Sequence, residues 1–518
     1  MDIVIFEKLI QEMINELKGV CMQVGLSNQA AEEHCVTSIL LYKFLDAKKD
    51  WLPVEYSIES MKKLTSCNTF PELFDQTLRK IADRIEEKLL IENKEDCIWD
   101  PVIVPLSKYV NPDSKDLFIS NVFNIISNEK YDISDISNGE YQFDFFSVVF
   151  EYMIKDYNVA TGVYAEYFTP QIISYIIGQI LMSMYFRNNK KNEHSISIYD
   201  PAAGTGSLIL HLDAVLKEKG IVSSIYTQDI SLKSTRYLKF NLILNSLYKD
   251  ELHIAQGDTL LVPVHCQPDG ELRKFELITS NPPFKVDFSS TRDEIAETWK
   301  NTERFFAGIP KIPTKKKTSM PIYLMFIQHI LYSLSETGKA AIVVPASFLS
   351  ARTTLELTIK KKLIDENLLV GAITMPSRIF ANTTTQVSVL FIDRMKKDES
   401  IFLMDASAMG EEKRIGRSRR IVLSQDESKW IINTFIKKDE VDKFTVLVNR
   451  QKIQENRYSC VPGYYFKPEF DFSKRTEKEF KNEMREHLLR LEELKLQRKQ
   501  LEKEAEQIFL KMKNWYEI

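Results

Sequence analysis

The sequence predicts an α/β protein built on a doubly wound sheet of about seven strands, with an N-terminal helical domain before it and a C-terminal coiled-coil-type helix after it. Three observations carry that prediction. Between about residues 195 and 395, short β-branched runs alternate with segments long enough to be helices, the pattern of a parallel sheet covered on both faces. Ahead of this region apolar residues recur at helical spacing, as in Phe6, Leu9, Ile10, Met13, Ile14 and Leu17. Behind it, Met484, His487, Leu491, Leu494, Arg498, Leu501, Ala505, Ile508, Met512 and Trp515 step by alternating threes and fours among dense Lys and Glu, which makes a heptad seam.

The strand runs are Ile196–Asp200, Ser224–Asp229, Leu252–Gln256, Phe275–Thr279, Ala340–Val344, Val370–Thr374 and Gln386–Ile392. The last follows its neighbour with too few residues for a helical crossover, so it is expected to pair antiparallel. Changes of pattern divide the chain into a helical domain (1–145), the sheet domain (146–445) and a helical tail (446–518). The seam of the tail can be covered by the chain's own surface or by a partner, and a seam alone does not choose between them. Arg498 within it favours a specific mate.

At roughly 150 residues per domain, 518 residues suit about three domains and at least one large core, which excludes a disordered chain. Sixty-nine Lys and Arg against 73 Asp and Glu leave a net charge of -4, so any contact with nucleic acid must come from local basic patches. Two such runs stand out: Lys311, Lys315, Lys316 and Lys317 in a Pro-containing loop, and Lys413, Arg414, Arg417, Arg419 and Arg420. Either suits phosphates or simple solvation. The six cysteines include no Cys-x-x-Cys pair, which argues against a disulfide framework or a thiolate zinc site and fits a reducing cytoplasm. There is no His-Glu-x-x-His, no phosphate-binding loop of the Gly-x-x-x-x-Gly-Lys type, no secretory signal and no apolar stretch of membrane-spanning length.

Chemistry is concentrated at the ends of the strand runs. Asp200, Pro201, Ala202, Ala203, Gly204, Thr205, Gly206 and Ser207 form a strand-to-helix turn at the carboxyl edge of the sheet, where such sheets bind ligands. Small residues let the backbone approach a ligand closely, and an acid at 200 suits an amine better than a phosphate, which disfavours a dinucleotide. Asp229 ends the second run, where open α/β folds place a carboxylate that accepts hydrogen bonds from ribose hydroxyls. Asp258, after the third, is placed to contact the base of the same nucleoside or simply to cap a turn. The fourth run ends in Asn281, Pro282, Pro283 and Phe284. Two prolines stiffen the backbone so that the Asn281 side-chain oxygen and the Pro282 carbonyl become fixed acceptors for one NH2 group. Gripping both hydrogens favours a pyramidal nitrogen with its lone pair aimed at a methyl donor, and Phe284 offers a face on which an extruded base can stack.

Glycine turn, ribose acid and Asn-Pro-Pro-Phe in this order resemble an amino-methyltransferase acting on DNA adenine. Upstream, Glu166, Tyr167, Phe168, Thr169, Pro170 and Gln171 resemble the cofactor-binding segment of the modification (M) subunit of type I restriction systems. Locally, Thr169 and Pro170 also read as the N-cap and first position of the helix that follows. Similarity continues through Val344-Pro-Ala-Ser-Phe348, Met375-Pro-Ser-Arg-Ile-Phe380 and Ile453-Gln-Glu-Asn-Arg-Tyr458, and covers about residues 145–465. The resemblance implies a seven-stranded, Rossmann-like methyltransferase sheet and methylation of adenine N6 in double-stranded DNA. S-adenosyl-L-methionine would be held by the segment 166–171, with Phe168 packed on it, and by the turn, Asp229 and Asp258. It further implies a specificity (target-recognition) subunit as partner, with a restriction/translocase subunit and a second copy of the chain as further candidates.

Ring-carbon methylation of cytosine needs a Cys nucleophile, typically after Pro, and none of the six follows one. Enzymes that methylate the cytosine amine more often carry Ser where Asn281 stands. Methylation of RNA or of a protein glutamine amide, and a catalytically silent DNA-binding scaffold, remain alternatives because an Asn-Pro-Pro-aromatic loop serves the first two and the intact loop alone argues against the third.

Overall fold

All seven expected runs form strands of one sheet: β1 (Ser195–Asp200), β2 (Val222–Asp229), β3 (Glu251–Gln256), β4 (Phe275–Ser280), β5 (Leu334–Pro345), β6 (Leu369–Thr374) and β7 (Val387–Asp393). The structure is a computed structural model and describes residues 3–26, 29–48, 51–88, 101–133, 169–188, 195–245, 251–380, 385–415, 418–467 and 477–515. Beyond β7 follow β8 (Ser400–Asp405), a two-stranded hairpin of β9 (Glu411–Ile415) and β10 (Ser418–Val422), and β11 (Thr445–Asn449). The sheet has nine strands in the order β11-β8-β6-β7-β5-β4-β1-β2-β3, two more than the sequence reading counted. As its short connection requires, β7 lies antiparallel between β5 and β6.

The extra strands are short apolar runs of six and five residues, which carry no pairing signal of their own. What admits β8 is Gly371, whose position a Cβ cannot fill without meeting the Phe402 carbonyl oxygen at 2.2 Å.

Side chains alternate strictly between the two faces. In β5, Ala341 and Val343 join the core on one face, while Ala340, Ile342 and Val344 join the core on the other. The first face is covered by the helices Gln171–Asn188, Ser207–Glu218 and Leu232–Leu244, the second by Tyr323–Ser333 and Thr354–Asp365. Gly178 lets the first two of these helices touch, its missing Cβ lying 3.5 Å from the His211 carbonyl oxygen.

The N-terminal helices are Ile3–Gln23, Gln29–Ala47, Ile58–Lys62, Phe70–Lys88 and Pro112–Ile126. Phe70, Phe74 and Phe123 meet edge or face at their centre, with Tyr42 against Phe74. Glu33, buried on the second helix, accepts from Lys233 (2.8 Å), Arg236 (3.1 Å) and Tyr237, so the bundle is clasped to the helix that leaves β2. Removing one partner of such a buried pair leaves a charge uncompensated.

The chain divides into two units, Met1–Phe466 and Lys467–Ile518. The N-terminal helices share the larger unit with the sheet, and position 446 falls inside β11. Residues beyond β11 still bond to the sheet domain, as when Cys460 N–H donates to the Leu349 carbonyl at 2.9 Å. The described part of the second unit holds the helix Glu477–Trp515, with Met484, Leu491, Leu494, Leu501 and Ile508 exposed. No described helix is long and apolar enough to cross a membrane.

Candidate active site

Strand order positions the site. After β1, β2 and β3 the chain returns to place β4 on the other side of β1, so the topological switch lies between β1 and β4, and ligands bind outside the carboxyl ends of strands at such a point. Asp200 ends β1, Asp229 ends β2, Asp258 follows β3 and Asn281 follows β4, which gathers all four along one edge.

The glycine turn is tied down from three sides. Gly204 N–H donates to Asp229 Oδ2 at 2.7 Å, Ala203 N–H to the Gln228 carbonyl at 3.2 Å, and Asn241 Nδ2 to the Thr205 carbonyl at 2.8 Å. Gly204 and Gly206 have φ of 54° and 86°, a region that favours glycine, and a Cβ on Gly206 would lie 2.2 Å from Leu238 Cδ1. Gly206 therefore serves packing against the helix after β2, with Ser207 opening the helix behind it.

Asp200 and Asp229 are buried and lie close enough to interact, and among the described residues neither is ion-paired. Burial pushes the Asp200 carboxyl up to about 7, against the pull of the Ala202 N–H and with a further push from Asp229. Burial likewise raises Asp229, although the Ser231 and Gly204 N–H groups hold it down. Gln171, from the segment resembling a cofactor site, has its buried Nε2 without a hydrogen-bond partner among the described residues. Two unneutralised buried acids and an unpartnered amide fit a ligand that is cationic at one end and polar along its length.

Asp258 forms a tight turn, its Oδ1 accepting from Leu260 N–H at 2.9 Å. A residue that the sequence reading missed holds that turn in place. Arg304, fully buried, donates from its two Nη atoms to the carbonyls of Thr259 (2.7 Å) and Leu260 (3.0 Å), and from Nε to His329 Nδ1 (3.1 Å). Its guanidinium lies over Trp299, 4.2 Å from the ring centre. Burial lowers it only to about 10, so it stays cationic, and burial together with that charge keeps His329 neutral. Thr259 in turn donates to the Pro201 carbonyl at 2.7 Å, joining the third loop to the first. No local pattern marks Arg304, because its importance comes from burial alone.

Asn281 is oriented by Thr169, whose hydroxyl accepts from Asn281 Nδ2 at 3.0 Å across 112 residues of sequence. With the amide nitrogen engaged there, Oδ1 accepts from no donor among the described residues. Asn281 through Phe284 line a cavity of about 360 Å³, within the range of small-molecule pockets. Tyr323, Ser347, Glu356 and Phe380 line it as well. Ser347 and Phe380 sit in segments whose likeness the sequence displayed, whereas Tyr323 and Glu356 carried no signal. Phe284 meets Tyr323 edge-on, ring centres 6.3 Å apart, and Tyr323 donates to Glu356 at 3.2 Å. Glu166, Tyr167 and Phe168 lie outside the described residues, as do the surroundings of Arg414 and Arg417.

Comparison with known proteins accords with this geometry. The chain is 30% identical over 336 residues to the methylase subunit of the type I restriction enzyme MpnII from Mycoplasma pneumoniae, covering 63% of this chain and 58% of that protein. It is 26% identical over 338 residues to the MjaIX methylase subunit of Methanocaldococcus jannaschii, covering 62% and 55%. The chain thus spans little more than half the length of these relatives. The crystal structure of a type I restriction-modification methyltransferase subunit from Streptococcus thermophilus shares the fold, with a TM-score of 0.67 and 17% identity over 90% of this chain and 100% of that one. A sequence profile described as N-6 DNA methylase matches residues 141–472, more than half of the chain. By that match and by the site it frames, the chain belongs to the N-6 DNA methylase family.

Proposed function

We propose that this protein methylates the N6 amine of adenine in double-stranded DNA with S-adenosyl-L-methionine, as the modification subunit of a type I restriction-modification complex. The observation that carries the reading is Asn281, its amide nitrogen taken by Thr169, beside a cavity bounded by Phe284. Adenine's exocyclic amine is a poor nucleophile because its lone pair is delocalised into the ring. Asn281 Oδ1 and the Pro282 carbonyl, each accepting one N–H, favour the pyramidal nitrogen and bear the positive charge that develops on it. Phe284 and Phe380 supply aromatic surface for the extruded base.

When bound, S-adenosyl-L-methionine supplies an electrophilic methyl group. Ionised Asp200 would face its ammonium. Asp229, whose oxygens already take the Gly204 and Ser231 N–H groups, keeps lone pairs for ribose hydroxyls, and Asp258 keeps one oxygen for the adenine amine. Gln171 Nε2 is a donor still to be satisfied. Glu166, Tyr167, Phe168, Thr169 and Pro170 complete the proposed cofactor segment.

Likeness to type I methylase subunits supports a specificity subunit as partner, and the exposed seam of Glu477–Trp515 is a surface for it. Action on chromosomal DNA implies a cytoplasmic setting. The test is incorporation of labelled methyl into unmodified genomic DNA by the chain together with a specificity subunit. Label is expected in N6-methyladenine. Asn281→Ala is expected to slow transfer by roughly 100- to 1,000-fold, the cost of losing one aligned acceptor, while donor affinity changes less than about twofold. Equal loss of both would overturn the assignment.

A further inference from the structure

Past Phe284 the chain makes an excursion through residues 285–322 before entering the helix Tyr323–Ser333. The excursion is built on its own small core, where Leu260, Phe288, Ile295, Phe305, Met320 and Met325 are buried together. Its two ends lie side by side: Val286 N–H donates to the Met320 carbonyl at 3.2 Å, and Lys285 and Pro321 both line the cavity beside Asn281. Lys315, Lys316 and Lys317 come just before that junction. Asp287, whose carboxyl Ser289 holds below the usual range through its hydroxyl and N–H, takes a further pull from Lys317.

Lys285, Lys315, Lys316 and Lys317 are all exposed, and among the described residues none is ion-paired with a carboxylate. The other basic element differs, because Lys413 and Arg419 on the β9–β10 hairpin lie 3.9 Å and 3.5 Å from Glu411 and Glu412. The lysine loop is also braced. Pro310 and Pro313 restrict it, Arg292 Nε donates to the Pro310 carbonyl at 3.2 Å, and Lys316 is held at φ 55°, where side chains seldom sit. Cations mounted on a packed platform lose less freedom on binding than cations on a loose tail.

A nucleotide turned out of a duplex carries its flanking phosphates to the mouth of the pocket that receives its base. We propose that Lys285, Lys315, Lys316 and Lys317 grip those phosphates and hold the opened backbone while the base is inside. The inference rests on the reading of the cavity as a base pocket and adds the surface that meets the duplex around it.

The test uses the full chain with S-adenosyl-L-methionine and a 30-bp duplex carrying one 2-aminopurine opposite an abasic site, titrated between 50 and 200 mM salt. Each phosphate neutralised contributes about 0.9 to the slope of log affinity against log salt. The variant K285Q/K315Q/K316Q/K317Q is expected to reduce that slope by about 3–4 and to weaken binding at least tenfold at low salt. The loss should be smaller on the same duplex fully paired, and calorimetry should find donor affinity within about twofold of the parent. An unchanged slope, or an equal loss on both duplexes, overturns the proposal. Methyl transfer by the unaltered chain together with a specificity subunit is scored separately. A chain that binds with the lysine-dependent slope but transfers no methyl even with that subunit refutes the underlying reading and leaves the grip standing. A chain that methylates DNA with a slope indifferent to the substitutions refutes the grip alone.

Discussion

Donor binding should strengthen as pH rises through neutrality, and one buried carboxyl sets the size of the effect. Asp200 is 1% exposed, and burial raises its folded pKa to about 7. Only the ionised form attracts an ammonium. The ionised fraction is about 0.09 at pH 6 and about 0.5 at pH 7, so affinity should rise roughly fivefold across that unit, about 1 kcal/mol. Staying at or below pH 7 keeps most of the donor's own α-ammonium charged. Calorimetry at several pH values, in buffers of different ionisation heat, would count about half a proton released per donor bound at pH 7 and about 0.9 at pH 6. Asp200→Asn should bind more weakly at pH 7 and lose the pH dependence. The cofactor-free protein should show the opposite trend. Because the folded pKa lies above the unfolded one, the carboxyl's contribution to stability is full below about pH 4 and is lost as pH rises through about 7. Asp200→Asn should therefore gain melting temperature relative to the parent at pH 8 and lose that advantage progressively as pH falls from about 7 toward 4. A donor affinity flat from pH 6 to 7 with no proton release would refute the reasoning, as would an Asn variant that kept the slope.

Other expectations follow from single contacts. Thr169→Val removes the acceptor that orients Asn281, and should slow methyl transfer about tenfold at saturating donor; Thr169→Ser should restore the rate, and an undiminished Val variant would remove the positioning role. Arg304→Met takes from the Thr259 and Leu260 carbonyls the donors that Arg304 supplies, costing about 3 kcal/mol, so denaturation should come earlier and donor affinity should fall with the loosened Asp258 turn; an unmoved transition would show that the loop stands without it. Leu494→Lys with Leu501→Lys should release the specificity subunit in a pull-down while donor binding persists, and continued co-purification would assign the seam elsewhere.

The sequence revealed what is written in contiguous residues. A strand run ending in Asp200 and a glycine turn, or in Asn281 and two prolines, declares both its secondary structure and its chemistry, because backbone restriction and side-chain type act within a few positions. The antiparallel β7 was legible for the same reason, since a short connection forbids a crossover. By contrast β8 and β11 join the sheet only because their neighbours and Gly371 make room for them. The Glu33 clasp joins partners 200 or more residues apart.

By itself, then, the sequence determined the parts of this protein: seven strands, the acids and glycines at their ends, the rigid acceptor loop, the lysine runs and the heptad seam. Tertiary structure alone decided which parts act together. Folding buried two acids with no ion pair among the described residues, set Thr169 against Asn281, drew Arg304 beneath the Asp258 turn and brought Met320, just past the lysine run, beside Val286. The physical reason is that burial and hydrogen bonding depend on distance in space, and chain order bounds that distance only for near neighbours.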